Sequence, residues 1–388
     1  MFDTYSSMFL LDPEITFLNH GSFGACPRPV FESYQSWQRR LERQPVEFLD
    51  RQVSQLMAES RSALAQFLNC GAEEIVYFPN PTTAINMVAR NLELVPGDEI
   101  LTSDHEYGAM DRTWRYVCQK VGARYVQQPI PLPVTTPEEF VETFWKGVTP
   151  KTKVIFLSHI TSPTALIFPV DEICRRARQA GILCIVDGAH APGQIPVDLG
   201  AIGADLYVGA CHKWMMSPKG AAFLYANPKV HHWLDPLVIS WGYQAEEGFG
   251  SSNQFIDYHE WQGTRDIAAF LSVPAAIEFM REHQWEAVTD RCHHLARHAR
   301  REINTLTVLP PICPETSLWF KQMFAARLPE DVEEKELKRR LYDEYCIEVP
   351  LFRWQGEPFI RASIQGYNTQ SDVDALIEAL GELLQNPL

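Results

Sequence analysis

A lysine and an aspartate, each expected at the carboxyl end of a buried strand, are the residues of this chain best suited to covalent chemistry. The run Cys184-Ile185-Val186-Asp187-Gly188-Ala189-His190 puts an acid where open α/β sheets gather their ligands. The segment 205–209 leads into Ala210-Cys211-His212-Lys213 and brings a lysine to the end of another strand, 26 residues after the acid. A lysine that forms a Schiff base must be partly neutral when it attacks, and a pyridoxal ring needs an acid against its nitrogen to stay a protonated electron sink. Lys213 and Asp187 supply that pair, which implies pyridoxal 5'-phosphate as cofactor and chemistry at the α carbon of an amino acid. The pattern alone leaves open that Asp187 begins a turn and Lys213 is a surface charge.

A third feature would complete such a site. Residues 75–78 read as a strand, followed by Pro79-Asn80-Pro81 and a helix that begins near Thr82. The unpaired N–H groups and positive dipole end of that helix attract a phosphate, and the hydroxyls of Thr82 and Thr83 add donors. A plain threonine N-cap would look the same.

These residues need a sheet to position them. Short apolar, β-branched runs alternate with stretches of helical period, the pattern of a mostly parallel sheet covered by helices. Seven strands are expected, at 75–78, 99–103, 123–127, 153–158, 182–186, 205–209 and 221–225. Ile173, Cys174, Ala177 and Ala180 share one helix face, with Gly181 as its stop. A long helix is expected over 46–69, another after the Thr136-Pro137-Glu138-Glu139 cap, and a glycine-rich loop over 241–266. Residues 359–364 read as a strand, and Ser371 caps a last helix. The expected organisation is an N-terminal segment (1–20) that joins a small domain, a large cofactor-binding domain (21–265) and a small C-terminal α/β domain (266–388).

Composition narrows the partners. With 46% hydrophobic residues in 388, the chain is long and apolar enough to bury a large core. A net charge of -15 opposes nucleic acid and anionic membranes as partners, since polyanion binding needs a basic footprint. No apolar run reaches membrane-spanning length, and the first residues lack the basic region of a signal peptide, so a cytoplasmic enzyme is expected. The nine cysteines contain no C-x-x-C pair, so no disulfide framework or zinc site is expected. His294 and His298 sit one helical turn apart without a third ligand nearby, and no metal is expected there either.

Taken in order, FLNHGSFG (17–24), DHEYGA (104–109), SHITSPTALIFPV (158–170), VDGAHAPG, ACHKWMMSPKG, GTRD (263–266) and IRASIQGYNTQSDVDALI (360–377) resemble the class V aminotransferase family of fold-type I pyridoxal phosphate enzymes. The resemblance covers almost the whole chain. Within the family, LNHGSFG, DHEYGA, HITSPTAL and IEVP (347–350) are similar to the isopenicillin N epimerase-like members. It implies that Lys213 carries the cofactor, Asp187 pairs with the ring nitrogen, and His105 stacks on the ring, with Tyr107 competing for that place. It implies that Thr82, Thr83 and His212 hold the phosphate, that Ser162 and His190 lie near the ring hydroxyl, and that Arg361 grips the substrate carboxylate with its planar fork. Asn19 and His20 would line the entrance. Thr264 would reach the phosphate of a neighbouring subunit, which makes a homodimer with shared active sites.

Two positions depart from the family's pattern. The segment PLFRWQGEPFI (350–360) carries no cysteine where the family's desulfurases have their nucleophile, and Cys346 falls in a strand-like segment. Ala210 stands where the family has a phosphate-binding serine. The reaction expected is α-proton abstraction leading to epimerisation, with carbon–sulfur lysis or transamination as alternatives. A protein that keeps the fold only for binding would not need lysine, acid and arginine together.

Overall fold

In the computed structural model of the chain, which describes residues 5–244, 251 and 253–385, twelve strands form three sheets. In chain order they are β1 (Thr16–Phe17), β2 (Ile75–Phe78), β3 (Glu99–Ser103), β4 (Arg124–Gln128), β5 (Thr152–Ser158), β6 (Leu183–Gly188), β7 (Leu206–Ala210), β8 (Ala222–Ala226), β9 (Met323–Arg327), β10 (Ile347–Glu348), β11 (Leu351–Trp354) and β12 (Glu357–Ser363). The main sheet has the order β2-β8-β7-β6-β5-β3-β4, with β8 alone antiparallel to its neighbours. It is the fold-type I layout, with the seven strands where sequence pattern puts them to within a residue or two.

Both faces of this sheet are covered. The period-2 alternation of a strand sends Ile75, Tyr77, Ile155 and Leu157 into one core, beside Ile173, Cys174 and Ala177 of the helix Val170–Ala180. It sends Val76, Phe78, Val154 and Phe156 into the other, beside the helices Pro81–Asn91 and Gly108–Val121. Ala180, expected on the buried helix face, is exposed, because Gly181 turns left-handed there and ends the helix (φ 69°).

The smaller sheet has the order β11-β12-β9 and is wholly antiparallel. The helices Trp285–Thr307 and Glu334–Tyr345 pack against it, and the C-terminal helix Gln370–Gln385 packs on both of them. β1 runs parallel to β10, so the N-terminal segment is stitched to the C-terminal part of the chain.

Three local expectations change. The long helix expected over 46–69 begins as π-helical turns (Glu47–Gln52) before the α-helix Val53–Phe67, because 3.6-residue periodicity does not register the extra residue of a π turn. Thr136 caps its helix by accepting from Glu139 N at 3.2 Å, but the Glu139 carboxylate bonds Thr135 rather than closing a capping box. The glycine-rich stretch 241–266 lies partly outside the described residues, and its described part contains the helix Gln254–Glu260, capped by Asn253. Among the described residues no helix is long and apolar enough to cross a membrane, and no group of three or more His, Cys, Asp or Glu is placed to hold a metal ion.

Candidate active site

The ends of β5, β6 and β7 and the start of the helix Pro81–Asn91 open into one cleft. Thr82, Tyr107, Ser158, Ser162, Asp187, His190, His212 and Lys213 line it, together with Ser22 and Phe23 from the N-terminal segment.

Lys213 lies three residues beyond β7, and its side chain is pressed between acid and imidazole. Burial lowers its pKa to about 8, against an opposing pull from Asp187. Trp214 Nε1–H donates to His190 Nδ1 at 3.3 Å, so a neutral His190 carries its proton on Nε2. That nitrogen sits 3.1 Å from Lys213 Nζ, and the N–H can be used only if Nζ offers a lone pair. Burial holds the His190 pKa well below its usual range, which keeps the ring neutral. The geometry therefore favours the amine form of Lys213.

The backbone beneath the lysine is fixed from the other side by Gly24. Its φ is +70°, and a Cβ there would lie 2.0 Å from the carbonyl oxygen of His212, so only glycine allows this approach. His20 braces the same turn, because its Nε2–H donates to Lys213 O at 3.1 Å while Nδ1 accepts from Tyr367 Oη at 3.0 Å.

Asp187 is buried in β6, and Ser158 is its register partner on β5. Burial raises the Asp187 pKa, and the Ala189 N–H at 2.9 Å and Lys213 pull it down again. Beneath this pair lies Glu106. Its carboxyl accepts from Ser103 Oγ (2.6 Å), Ser158 N (3.0 Å) and Ser158 Oγ (2.5 Å), and burial raises its pKa to about 8.

Arg361 enters from β12. Its Nη1 donates to Ser162 O (2.5 Å) and Ser162 Oγ (3.1 Å), its Nη2 to Ser22 Oγ (3.2 Å), and its Nε has no partner. Burial lowers its pKa to about 10, which still leaves it charged at neutral pH. Among the described residues no carboxylate pairs with it, so this buried cation lacks a counter-ion.

The residues expected from sequence divide into two groups. Thr82, Ser162, Asp187, His190, His212 and Lys213 come together in the cleft, with Arg361 hydrogen-bonded to two of its lining serines. Thr83 does not line it, since both its N–H and its hydroxyl bond the cap residue Asn80. His105 is also placed elsewhere. It is fully buried, with Nε2–H on Ile130 O (2.9 Å), Nδ1 beside Thr164 Oγ1 (2.7 Å) and Trp354 against its ring, whereas Tyr107 reaches the cleft. Asn19 and His20 sit behind the wall rather than at an entrance, with Asn19 Nδ2 on Glu348 Oε1 at 2.8 Å. Thr264 is exposed on a loop outside the cleft. Cys346 is a left-handed residue (φ 56°) after the helix Glu334–Tyr345, not a strand residue, and does not line the cleft.

Sequence reasoning missed Ser158, Glu106, Ser22 and Phe23. Ser158 ends β5, so the rule that singles out Asp187 applies to it equally. Phe23 carries no comparable signal.

The profile of the family described as "Aminotransferase class-V" matches residues 26–376. The chain belongs to the class V aminotransferase family. It is 36% identical to the isopenicillin N epimerase of Amycolatopsis lactamdurans, over 96% of each chain. It is 26% identical to the probable chloroplastic L-cysteine desulfhydrase of Arabidopsis thaliana, covering 97% of this chain and 84% of that one. The apo cysteine desulfurase of Thermococcus onnurineus NA1 superposes with a TM-score of 0.84 over 99% of both chains, at 20% identity, a likeness of fold.

The family's members are pyridoxal phosphate enzymes, and so is this chain. Its cleft fits that cofactor. A lysine amine whose pKa is lowered, a buried acid on the neighbouring strand, a helix N-terminus at the other end and an uncompensated guanidinium are what an aldehyde, a pyridine nitrogen, a phosphate and a substrate carboxylate require.

Proposed function

We propose that this protein is an epimerase-type enzyme that withdraws and returns the α proton of an amino-acid substrate. The observation that carries this reading is the hydrogen-bonded Lys213–His190 pair beside Asp187, in a cleft that also meets an unpaired Arg361. Likeness to isopenicillin N epimerase over 96% of the chain supports epimerisation among the family's reactions. Bound in the cleft, pyridoxal phosphate supplies an electron sink for the charge that develops at the substrate's α carbon.

The chain's own residues do the rest. Lys213 Nζ would hold the cofactor and, with substrate bound, would accept and return the α proton, for which its lowered pKa suits it. Asp187 keeps the proton of the ring nitrogen in place. Thr82, at the start of its helix, would take the phosphate. His212 lines the cleft beside it with a neutral ring, since burial lowers its pKa to about 4 and its Nδ1–H is committed to Ala221 O at 3.0 Å. Arg361 orients the substrate by its carboxylate.

Of the two candidates for a second proton carrier, His105 is sealed behind the wall. Tyr107 lines the cleft, so we assign it that place and the contact with the ring face.

Phe23, Ile239 and Trp241 are 72%, 65% and 71% exposed, which suits burial between two copies. We propose a cytoplasmic homodimer in which Thr264 of one subunit completes the phosphate site of the other.

A second reading, carbon–sulfur lysis, is favoured by the desulfhydrase relative. Incubation with a panel of L-amino acids in deuterium oxide separates the two. Epimerisation gives the α-deuterated D-enantiomer on chiral chromatography. Sulfide and a keto acid from L-cysteine, without D-enantiomer from any member, would establish lysis instead.

A further inference from the structure

Strands β11 and β12 are joined by Gln355-Gly356, a two-residue turn with both residues left-handed (φ 51° and 86°). A turn of that kind is ordinarily built from Asn or Gly, so a glutamine in its first position is backbone-costly. Its side chain explains its presence. Gln355 Nε2 donates to Asp104 Oδ2, and the adjacent Trp354 donates from Nε1 to Asp104 O at 3.0 Å. The Trp354 ring lies 4.3 Å from that of His105, centroid to centroid.

The receiving segment is itself tied down. Asp104 Oδ1 accepts from Ile130 N at 3.0 Å, His105 bonds Ile130 O and Thr164, and Glu106 holds Ser158. The next residue, Tyr107, lines the cleft. The hairpin tip is thus docked on a rigid loop at the end of β3, and the same hairpin carries Arg361, two residues from the paired Phe359↔Phe352. The hydrogen bonds of Arg361 itself go only to hydroxyls and one carbonyl, a weak set to locate a guanidinium.

We infer that Trp354 and Gln355 are positioning residues, which dock the hairpin on Asp104 and His105 and so hold Arg361 at the distance from Lys213 that the carboxylate and amine of one substrate require. The inference rests on the reading of Arg361 as carboxylate anchor. Misplacing that anchor weakens ligands that carry an α-carboxylate and leaves amines without one untouched.

The test uses holoenzyme and two probes, L-alanine and ethylamine, whose binding is followed by the change in cofactor absorbance. Trp354→Ala and Gln355→Asn are compared with wild type and with Arg361→Gln. Asn tolerates the left-handed backbone but draws the amide back by one methylene, so this variant keeps the turn if Trp354→Ala fails to fold. The expected result is an apparent Kd for L-alanine raised roughly tenfold in Trp354→Ala, in keeping with the cost of misplacing an orienting group. The shift is smaller in Gln355→Asn, with ethylamine within about twofold of wild type and the resting absorbance unchanged in both. Equal weakening of both probes, or no change in either, overturns the inference. If Arg361→Gln also leaves the preference for L-alanine intact, the carboxylate anchor itself is wrong. If Arg361→Gln abolishes it and the hairpin variants do not, only the positioning role falls.

Discussion

On one side of the cleft, Asp187 and Ser158 stand on adjacent parallel strands buried on both faces, and Lys213 follows a third. On the other, Arg361 stands on a three-stranded antiparallel sheet that meets the first wall through the docked hairpin, Ser162 and Ser22, and Gln194, whose Oε1 accepts from Met323 N at 3.1 Å. The first wall is fixed by strand register, which a side-chain change does not shift. The second is held by individual hydrogen bonds, each worth about 1 kcal/mol net. Chemistry common to a cofactor family belongs on the first kind of wall, and recognition of a particular substrate belongs on the second.

Substitutions can break that division. Asp187→Asn keeps the shape of the sheet wall but removes the acid, and kcat/KM is expected to fall about a thousandfold with cofactor still bound, as steady-state kinetics and the visible spectrum would show. A loss confined to KM would assign Asp187 to substrate binding and erase the contrast. Arg361→Lys, on the other wall, keeps the charge and loses the fork. KM should rise roughly ten- to a hundredfold with kcat changed far less.

Proton binding sharpens the comparison further. The Lys213 pKa is lowered to about 8, so below that pH the ammonium cannot attack, and above it the amine can. Uptake of pyridoxal phosphate by the apoprotein, followed at the cofactor band, should therefore accelerate as pH rises through about 8 and then level off. A rate independent of pH from 6 to 10 would contradict a lysine of this kind.

The smallest effect concerns Glu106, whose pKa is raised to about 8 by burial. A raised carboxyl contributes stability that is present below its unfolded pKa and is lost as pH rises toward 8. Glu106→Gln should thus gain in melting temperature relative to wild type between pH 5 and pH 8, by a few degrees at most. A difference that shrinks as pH rises would show that the three hydrogen bonds to Glu106 outweigh its burial.

The sheet wall was largely legible in the sequence, because strands buried on both faces appear as short runs such as Ile75-Val76-Tyr77-Phe78, and the residues that end them are easy to locate. Asp187 and Lys213 are located at strand ends in this way, and Ser158 is open to the same rule. The loop 104–107 was not legible in that detail, since nothing local tells which of His105 and Tyr107 faces the cleft. That is decided by Ile130 and Thr164, 25 and 59 residues away in sequence, which claim both nitrogens of His105. Asn19 and His20 lie away from the cleft for a related reason. Their polarity suggests a lining role, but their partners, Glu348, Tyr367 and the Lys213 carbonyl, lie in segments that only the fold brings close. In the hairpin, Gln355-Gly356 between two alternating runs is a turn signal, yet its docking on Asp104 spans 251 residues and leaves no local trace.

The central claim is that Lys213 carries the cofactor, and the most direct measurement is to reduce the holoenzyme with borohydride, digest it and locate the pyridoxyl group by peptide mass spectrometry. The account predicts a single modified residue, Lys213. Modification at Lys219, six residues further along the same loop, or a holoenzyme in which reduction fixes no cofactor, would contradict it.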